Sequence, residues 1–249
     1  MPDNAATVTD KVNLKDMTLP EMEEFFAGLG EPKFRARQVC GWIFQRGVED
    51  FNEMTDLSLS LRQKLSEVAA VTGVRIIQKQ VAKDGTAKYL MRMADGEAVE
   101  SVLLRHDYGN SVCVSSQVGC RMGCRFCAST IGGLVRDLTP GEIYSQVQAI
   151  QGDTGERVSS VVIMGSGEPL DNLPAVEKFI MLITAAYGLN IGARHITLST
   201  CGLVPTIREL AARKLPITLS VSLHAPNDEL RDQIMPVNKK YPIRELLAA

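Results

Sequence analysis

The chain has 249 residues, 45% hydrophobic and 22% charged, which is ordinary globular composition and enough for one large domain or two small ones. A net charge of -2 and a pI near 6.0 exclude a globally basic nucleic-acid binder, so any RNA partner must be met by local patches. No apolar run approaches the roughly 18 residues needed to cross a bilayer, and the polar start from Met1 to Asp10 lacks the basic and apolar parts of a signal peptide; a cytoplasmic monomer without membrane contact is expected.

Residues 14–71 carry helical signals. Leu19, Met22, Phe25, Phe26 and Leu29 are spaced for one face, with Gly30 as a stop, and further helices are predicted over 34–46 and 57–68. This gives a small helical N-terminal domain, residues 1–75. Lys33, Arg35, Arg37 and Arg46 form a basic patch there, which reads either as a solvated charged face or as an RNA contact.

Over 88–105 the period changes to alternation around Asp95-Gly96, a pair suited to a tight turn, so a β-hairpin is predicted within a linker spanning 76–105. Ala98, Glu100, Val102 and Leu104 share one strand face. Glu100 is then either a carboxylate among apolar neighbours, with a pKa raised by desolvation and suited to accept a proton, or an exposed edge position.

From Ser111 onward, apolar strands over 112–116, 161–164, 196–200 and 217–223 alternate with helical stretches over 174–187 and 205–213, which argues βα units and a parallel sheet. Thr139-Pro140-Gly141-Glu142 reads as a capping box with proline at the first helical position. Polar residues fall on single strand faces: Cys113, Ser115 and Gln117; Thr197, Ser199 and Cys201; Thr218, Ser220, Ser222 and His224. A parallel sheet buried on both faces would be apolar throughout, so the stripe reads as the wall of a polar cavity in a barrel, or else as hydrogen-bonded core hydroxyls.

Six cysteines, with Cys120, Cys124 and Cys127 spaced Cx3CxxC directly after a strand, fit metal or cluster ligation in a reducing compartment better than a disulfide framework. A cubane has four irons, so three nearby thiolates leave one iron open unless a distant group completes the set. A zinc site completed by a residue such as His106 is the competing reading. Arg121, Arg125 and Arg136 make a second basic patch beside this loop.

The Cx3CxxC motif following the first strand of a βα barrel resembles the signature of the radical S-adenosylmethionine (SAM) superfamily. The stretch from Val112 through Ser115-Ser116-Gln117-Val118-Gly119-Cys120, then Cys127-Ala128-Ser129-Thr130, is similar to its RlmN and Cfr branch. So are Leu29-Gly30-Glu31-Pro32-Lys33-Phe34, Met164-Gly165-Ser166-Gly167-Glu168-Pro169 and Ser222-Leu223-His224-Ala225-Pro226-Asn227. Ser166 departs from the methionine commoner in that motif, which puts the local packing under SAM in question.

The resemblance implies an α/β fold: a partial (βα)6 radical SAM barrel over 106–249, preceded by the helical domain and the hairpin. It implies a 4Fe-4S cluster on Cys120, Cys124 and Cys127, and SAM contacted by Gly167, Glu168, Ser199, Ser222, Leu223 and His224. The implied activity is RlmN-type methylation of adenosine C2 in 23S rRNA and tRNA, fed by a reducing donor of flavodoxin or ferredoxin type. C2 of adenine is electron-poor, so a radical route through a methylated cysteine replaces direct methyl transfer; Cys113 would resolve the protein–RNA adduct and Glu100 would accept the proton. The methyl-carrying cysteine lies near the C-terminus in the family, but no cysteine follows Cys201 here. Only four of six barrel strands are placed before Ala249, so a C-terminally shortened chain that cannot complete methylation is expected. Cfr-like methylation at adenine C8, or a zinc-stabilised RNA-binding module without catalysis, are the alternatives.

Overall fold

The computed structural model describes residues 11–249; the polar start at residues 1–10 lies outside the described residues. Strands β1 (Val12–Asn13) and β2 (Ala69–Ala70) form a short parallel pair that brackets three helices. Helix α1 (Leu19–Gly28) starts at a capping box, with the Glu21 carboxylate accepting the Thr18 N–H at 2.7 Å, and buries Met22 and Phe26 one turn apart. Helix α2 (Lys33–Cys40) runs on through a wider π turn at Gly41–Gln45, burying Val39, Cys40, Ile43 and Phe44. Helix α3 (Leu59–Val68) is capped by the Ser58 hydroxyl, which accepts from Leu61 N–H at 3.3 Å.

The strands that follow are β3 (Arg75–Val81), β4 (Ala87–Arg92), β5 (Ala98–His106), β6 (Gly109–Val114), β7 (Gln117–Gly119), β8 (Leu134–Asp137), β9 (Val158–Ile163), β10 (Ile196–Thr200) and β11 (Thr218–Val221). Seven of them form one sheet in the order β11-β10-β9-β6-β5-β4-β3. Strands β6, β9, β10 and β11 are mutually parallel, as the βα reading requires, while β3 to β6 form an antiparallel meander. The hairpin is therefore not a free linker but a continuation of the barrel sheet. Its turn is as expected: Gly96 sits at φ +94, and Asp95 accepts the Glu97 N–H at 3.0 Å.

One sheet face is covered by α4 (Pro140–Thr154), α5 (Leu173–Thr184) and α6 (Val204–Arg213), and Val112, Val114, Val161, Ile163 and Leu198 are buried in that layer. The alternate residues Cys113, Val162 and Thr197 point to the other face and are only half-buried. Helices α7 (Asp228–Ile234) and α8 (Ile243–Ala248) follow β11. The N-terminal helices share one continuous apolar core with the sheet layer. The joint is polar as well as apolar: Asp16 accepts the Gly141 N–H at 2.8 Å at the start of α4, and the Tyr144 hydroxyl donates to the Phe44 carbonyl at 2.9 Å. Among the described residues no helix is long and apolar enough to cross a membrane.

Candidate active site

The cysteine loop is a hairpin of its own. Strands β7 and β8 pair antiparallel, Gln117 opposite Asp137 and Val118 opposite Arg136, and the Cys120 N–H donates to the Gly133 carbonyl at 3.0 Å. Gly119 stands at φ +74, and a Cβ there would run into the Gly133 carbonyl oxygen, so the closure requires glycine. Inside the loop the Thr130 hydroxyl donates to the carbonyls of Cys127 and Cys124 at 2.9 and 3.2 Å, and Arg125 N–H reaches Ile234 O at 2.9 Å. Burial pushes the Cys124 thiol up to about 11, with the neighbouring Cys120 and Cys127 adding to the shift, and burial raises Cys120 as well. A centre bound here must therefore displace protons from the thiols.

The loop faces the C-terminal ends of β9, β10 and β11 across a cavity of about 610 Å³. Its lining brings together Cys120, Cys124 and Cys127 with Gly167, Glu168, Ser199, Ser222, Leu223 and His224, so every residue expected to hold the cluster or SAM meets in one place. Among the described residues no three His, Cys, Asp or Glu side chains are gathered tightly enough for a single metal ion. His106, the fourth ligand of the zinc reading, stacks on Tyr108 and is not among the residues lining the cavity, so the donor set fits a cubane cluster better than zinc.

Glu168 is 3% exposed and its carboxylate is already engaged: Oε1 accepts from the Thr200 hydroxyl at 2.7 Å and Leu170 N–H at 3.1 Å, and Oε2 accepts from Cys201 N–H at 2.8 Å. Burial pushes this carboxyl up, and those hydrogen bonds oppose the shift. The side chain thus ties the β9 end to the β10 end, a role the sequence did not reveal. Gly165 and Gly167 are also explained by protein packing. A Cβ on Gly165 would lie 2.6 Å from Ser115 Oγ, and one on Gly167, at φ +107, 2.6 Å from Gln117 Cβ. Ser166, the departure from methionine, is accommodated by a 3.2 Å hydrogen bond between its hydroxyl and that of Ser129 in the cysteine loop. His224 is exposed at φ +57, an uncommon conformation for a non-glycine, with its ring edge-on to Phe126 at 4.8 Å.

The polar stripe divides. Ser199, Cys201, Ser220, Ser222 and His224 line the cavity, whereas Ser115 and Gln117 are interior hydrogen-bonding groups. Cys113 pairs in register with Val102 and Val162, on the sheet face that the cavity-lining Met164 continues just past the end of β9, and burial raises its thiol. Glu100 shares that face, and of its two readings the structure gives the exposed one, though on an interior strand and not an edge: its side chain is 54% exposed and pairs with Lys88 at 2.9 Å. Strand β4 supplies that lysine, and nothing in the spacing of β5 announced it. Neither Cys113 nor Glu100 lines the cavity itself.

The basic patches are only partly paired: Arg35, which lies over the Phe34 ring, and Arg46 have no ion pair among the described residues. Lys33 and Arg37 pair with Glu23, Arg46 lies over the Trp42 ring, Arg121 pairs with Asp171, and Arg136 with Asp95 and Glu142. Arg125 is exposed and has no ion pair among the described residues.

Comparison with known proteins finds relatives over nearly the whole described chain. The family model described as the ribosomal RNA large subunit methyltransferase N-terminal domain matches residues 12–71, and that of the radical SAM superfamily matches 114–249. A "Probable dual-specificity RNA methyltransferase RlmN" of Desulforamulus reducens is 61% identical over 241 residues, covering 96% of this chain and 69% of that protein. The protein of the same description from Pelotomaculum thermopropionicum is 58% identical over 248 residues, covering 99% and 67%. A crystal structure of a radical SAM methyltransferase from Sphaerobacter thermophilus superposes with a TM-score of 0.88 at 40% identity, over 95% of this chain and 71% of that one.

Proposed function

Since the chain belongs to the RlmN family of radical SAM RNA methyltransferases, we propose that it acts on adenosine C2 of 23S rRNA and tRNA. In this reading a 4Fe-4S cluster is held by Cys120, Cys124 and Cys127, and SAM lies against Gly167, Glu168, Ser199, Ser222, Leu223 and His224. The observation that carries it is the convergence of those nine residues on one cavity of about 610 Å³. Bound there, cluster and cosubstrate supply the one-electron chemistry that an unreactive C2 position demands.

The chain's own residues do the rest. With its carboxylate committed to Thr200 and Cys201, Glu168 offers SAM its backbone carbonyl, on a turn fixed by Gly165 and Gly167. Phe126 and His224 close one side of the cavity mouth. Cys113 is the resolving thiol and Glu100 the proton acceptor, both on the cavity-side face of the sheet. Lys88 stands 2.9 Å from the Glu100 carboxylate, so a cation lies beside the proposed acceptor. Residues 202–249 contain no cysteine, so the family's methyl-bearing thiol has no counterpart among them. The N-terminal region over 1–75 contacts RNA, a flavodoxin- or ferredoxin-type donor provides the electron, and the chain works as a cytoplasmic monomer.

Anaerobic reconstitution tests the reading. A brown protein with about four irons and matching acid-labile sulfide, whose reduced EPR signal changes when SAM is added, is expected. A colourless zinc protein without sulfide would overturn it. Regiochemistry is read by nucleoside mass spectrometry of RNA treated with a full-length version that carries the family's methyl-bearing cysteine, where 8-methyladenosine in place of 2-methyladenosine would overturn the C2 assignment.

A further inference from the structure

Arg231, on α7, is fully buried, yet its guanidinium bonds to no carboxylate among the described residues. Nε donates to the Leu223 carbonyl at 3.1 Å, Nη2 to the carbonyls of Cys201 at 2.7 Å and Ser222 at 3.3 Å, and Nη1 to the Asn238 amide oxygen at 2.8 Å. Asp228 and Asp232 stand one layer back, behind Asn238, whose amide nitrogen donates to them at 3.0 and 2.7 Å. A buried cation without a direct counterion is expensive, and proteins rarely keep one without a use for its charge.

What lies on its other side is the thiol end of the cavity. Cys124 and Cys201 pack with Met235 and Val237 in a small cluster of buried residues, and the residue after Cys124 bonds its N–H to Ile234 at the end of α7, 2.9 Å away. Arg231 reaches this cluster through the Cys201 carbonyl, 2.7 Å from its Nη2, and Cys201 packs in the same cluster as Cys124. Three thiolates and an iron–sulfur core would bring net negative charge to this spot, and adding an electron would bring more.

We propose that Arg231 is an electrostatic positioning residue for the cluster: its buried charge favours the reduced state at Cys124, while its carbonyl bonds hold together the strand ends that seat SAM. The proposal rests on the assignment of Cys120, Cys124 and Cys127 as cluster ligands. Electrostatics supplies the sign, because a fixed cation in a low-dielectric interior stabilises the state of the cluster that carries one more electron, which the external donor provides.

The test is a redox titration of the anaerobically reconstituted full chain without SAM, following the EPR signal of the reduced cluster. In Arg231→Gln the ratio of reduced to oxidised cluster at a fixed poise should fall about tenfold, equivalent to about 59 mV for one electron, and Arg231→Lys should restore most of it. A folded Arg231→Gln protein with the wild-type ratio overturns the proposal. If that variant does not fold, Asp232→Asn decides: removing this half-buried acid should raise the ratio, and an unchanged ratio overturns the proposal. Wild-type protein that takes up no iron and sulfide would instead sink the ligand assignment, before any variant is compared.

Discussion

Arg121 and Asp171 grip each other through two hydrogen bonds, Nε to Oδ2 at 2.7 Å and Nη2 to Oδ1 at 2.6 Å, which ties the loop carrying the thiols to the segment that follows β9. Gln117 extends the tie, donating to Asp171 Oδ2 at 3.0 Å and accepting the Glu168 N–H at 2.8 Å. Cluster loop and cosubstrate ledge are therefore one hydrogen-bonded unit.

Asp171→Asn should loosen that unit without touching a ligand. The Arg121 side chain is 59% exposed, so solvent screening holds the loss to about 1 kcal/mol, or about fivefold in SAM affinity. Anaerobic equilibrium dialysis measures it, with iron content expected to stay at the wild-type level; unchanged affinity would show that the tie does not position the ledge.

Gly119→Ala should be severe for a single methyl group. It combines a left-handed backbone with a collision against the Gly133 carbonyl, together on the order of 2–4 kcal/mol. Urea unfolding should show the loss, and reconstituted iron should drop with it. Full stability and full iron would mean that the hairpin closure tolerates a side chain.

The parallel core was legible because β6, β9, β10 and β11 each announce themselves by apolar runs between helical stretches, and the cluster because three thiols sit within eight positions. Strand β3 was not legible. It is an edge strand of mostly exposed side chains, so no apolar alternation marks it. Glu168 was expected only as a SAM contact, since its partners Thr200 and Cys201 lie more than thirty positions away and reach it only once β10 lies beside β9. Glu100 stayed open between two readings for the same reason: its surroundings are set by Lys88 on a neighbouring strand, not by its own.

The thiols should separate by role. Cys124→Ala is expected to abolish iron binding, whereas Cys113→Ala, one strand register away from the cavity lining, should keep it, and in a methylation-competent enzyme should trap a covalent RNA adduct. Iron loss in Cys113→Ala would reverse this division. Cys40, buried and pushed up to about 12, should resist iodoacetamide at pH 8 in folded protein while the half-buried Cys127 is alkylated, as peptide mapping would show.

Acid should weaken the hairpin's anchor. The Arg136 hydrogen bond at 2.6 Å holds the Asp95 carboxyl below the usual carboxylate range. A depressed carboxylate adds stability above its unfolded pKa of about 3.9, and loses it as pH falls through the lower folded value. Asp95→Asn should therefore cost about 0.5–1 kcal/mol at pH 7 and almost nothing near pH ~2, in paired thermal melts. An equal deficit at both pH values would exclude the ion pair as its source.

The shared core beneath α1 to α3 and the sheet has a consequence for geometry at larger scale. With Asp16 seated on the start of α4 and Phe44 locked to Tyr144, their rings 5.1 Å apart, the N-terminal helices cannot swing as an arm. They act as a fixed ruler. Any macromolecule gripped by them meets the cavity mouth at a preset offset.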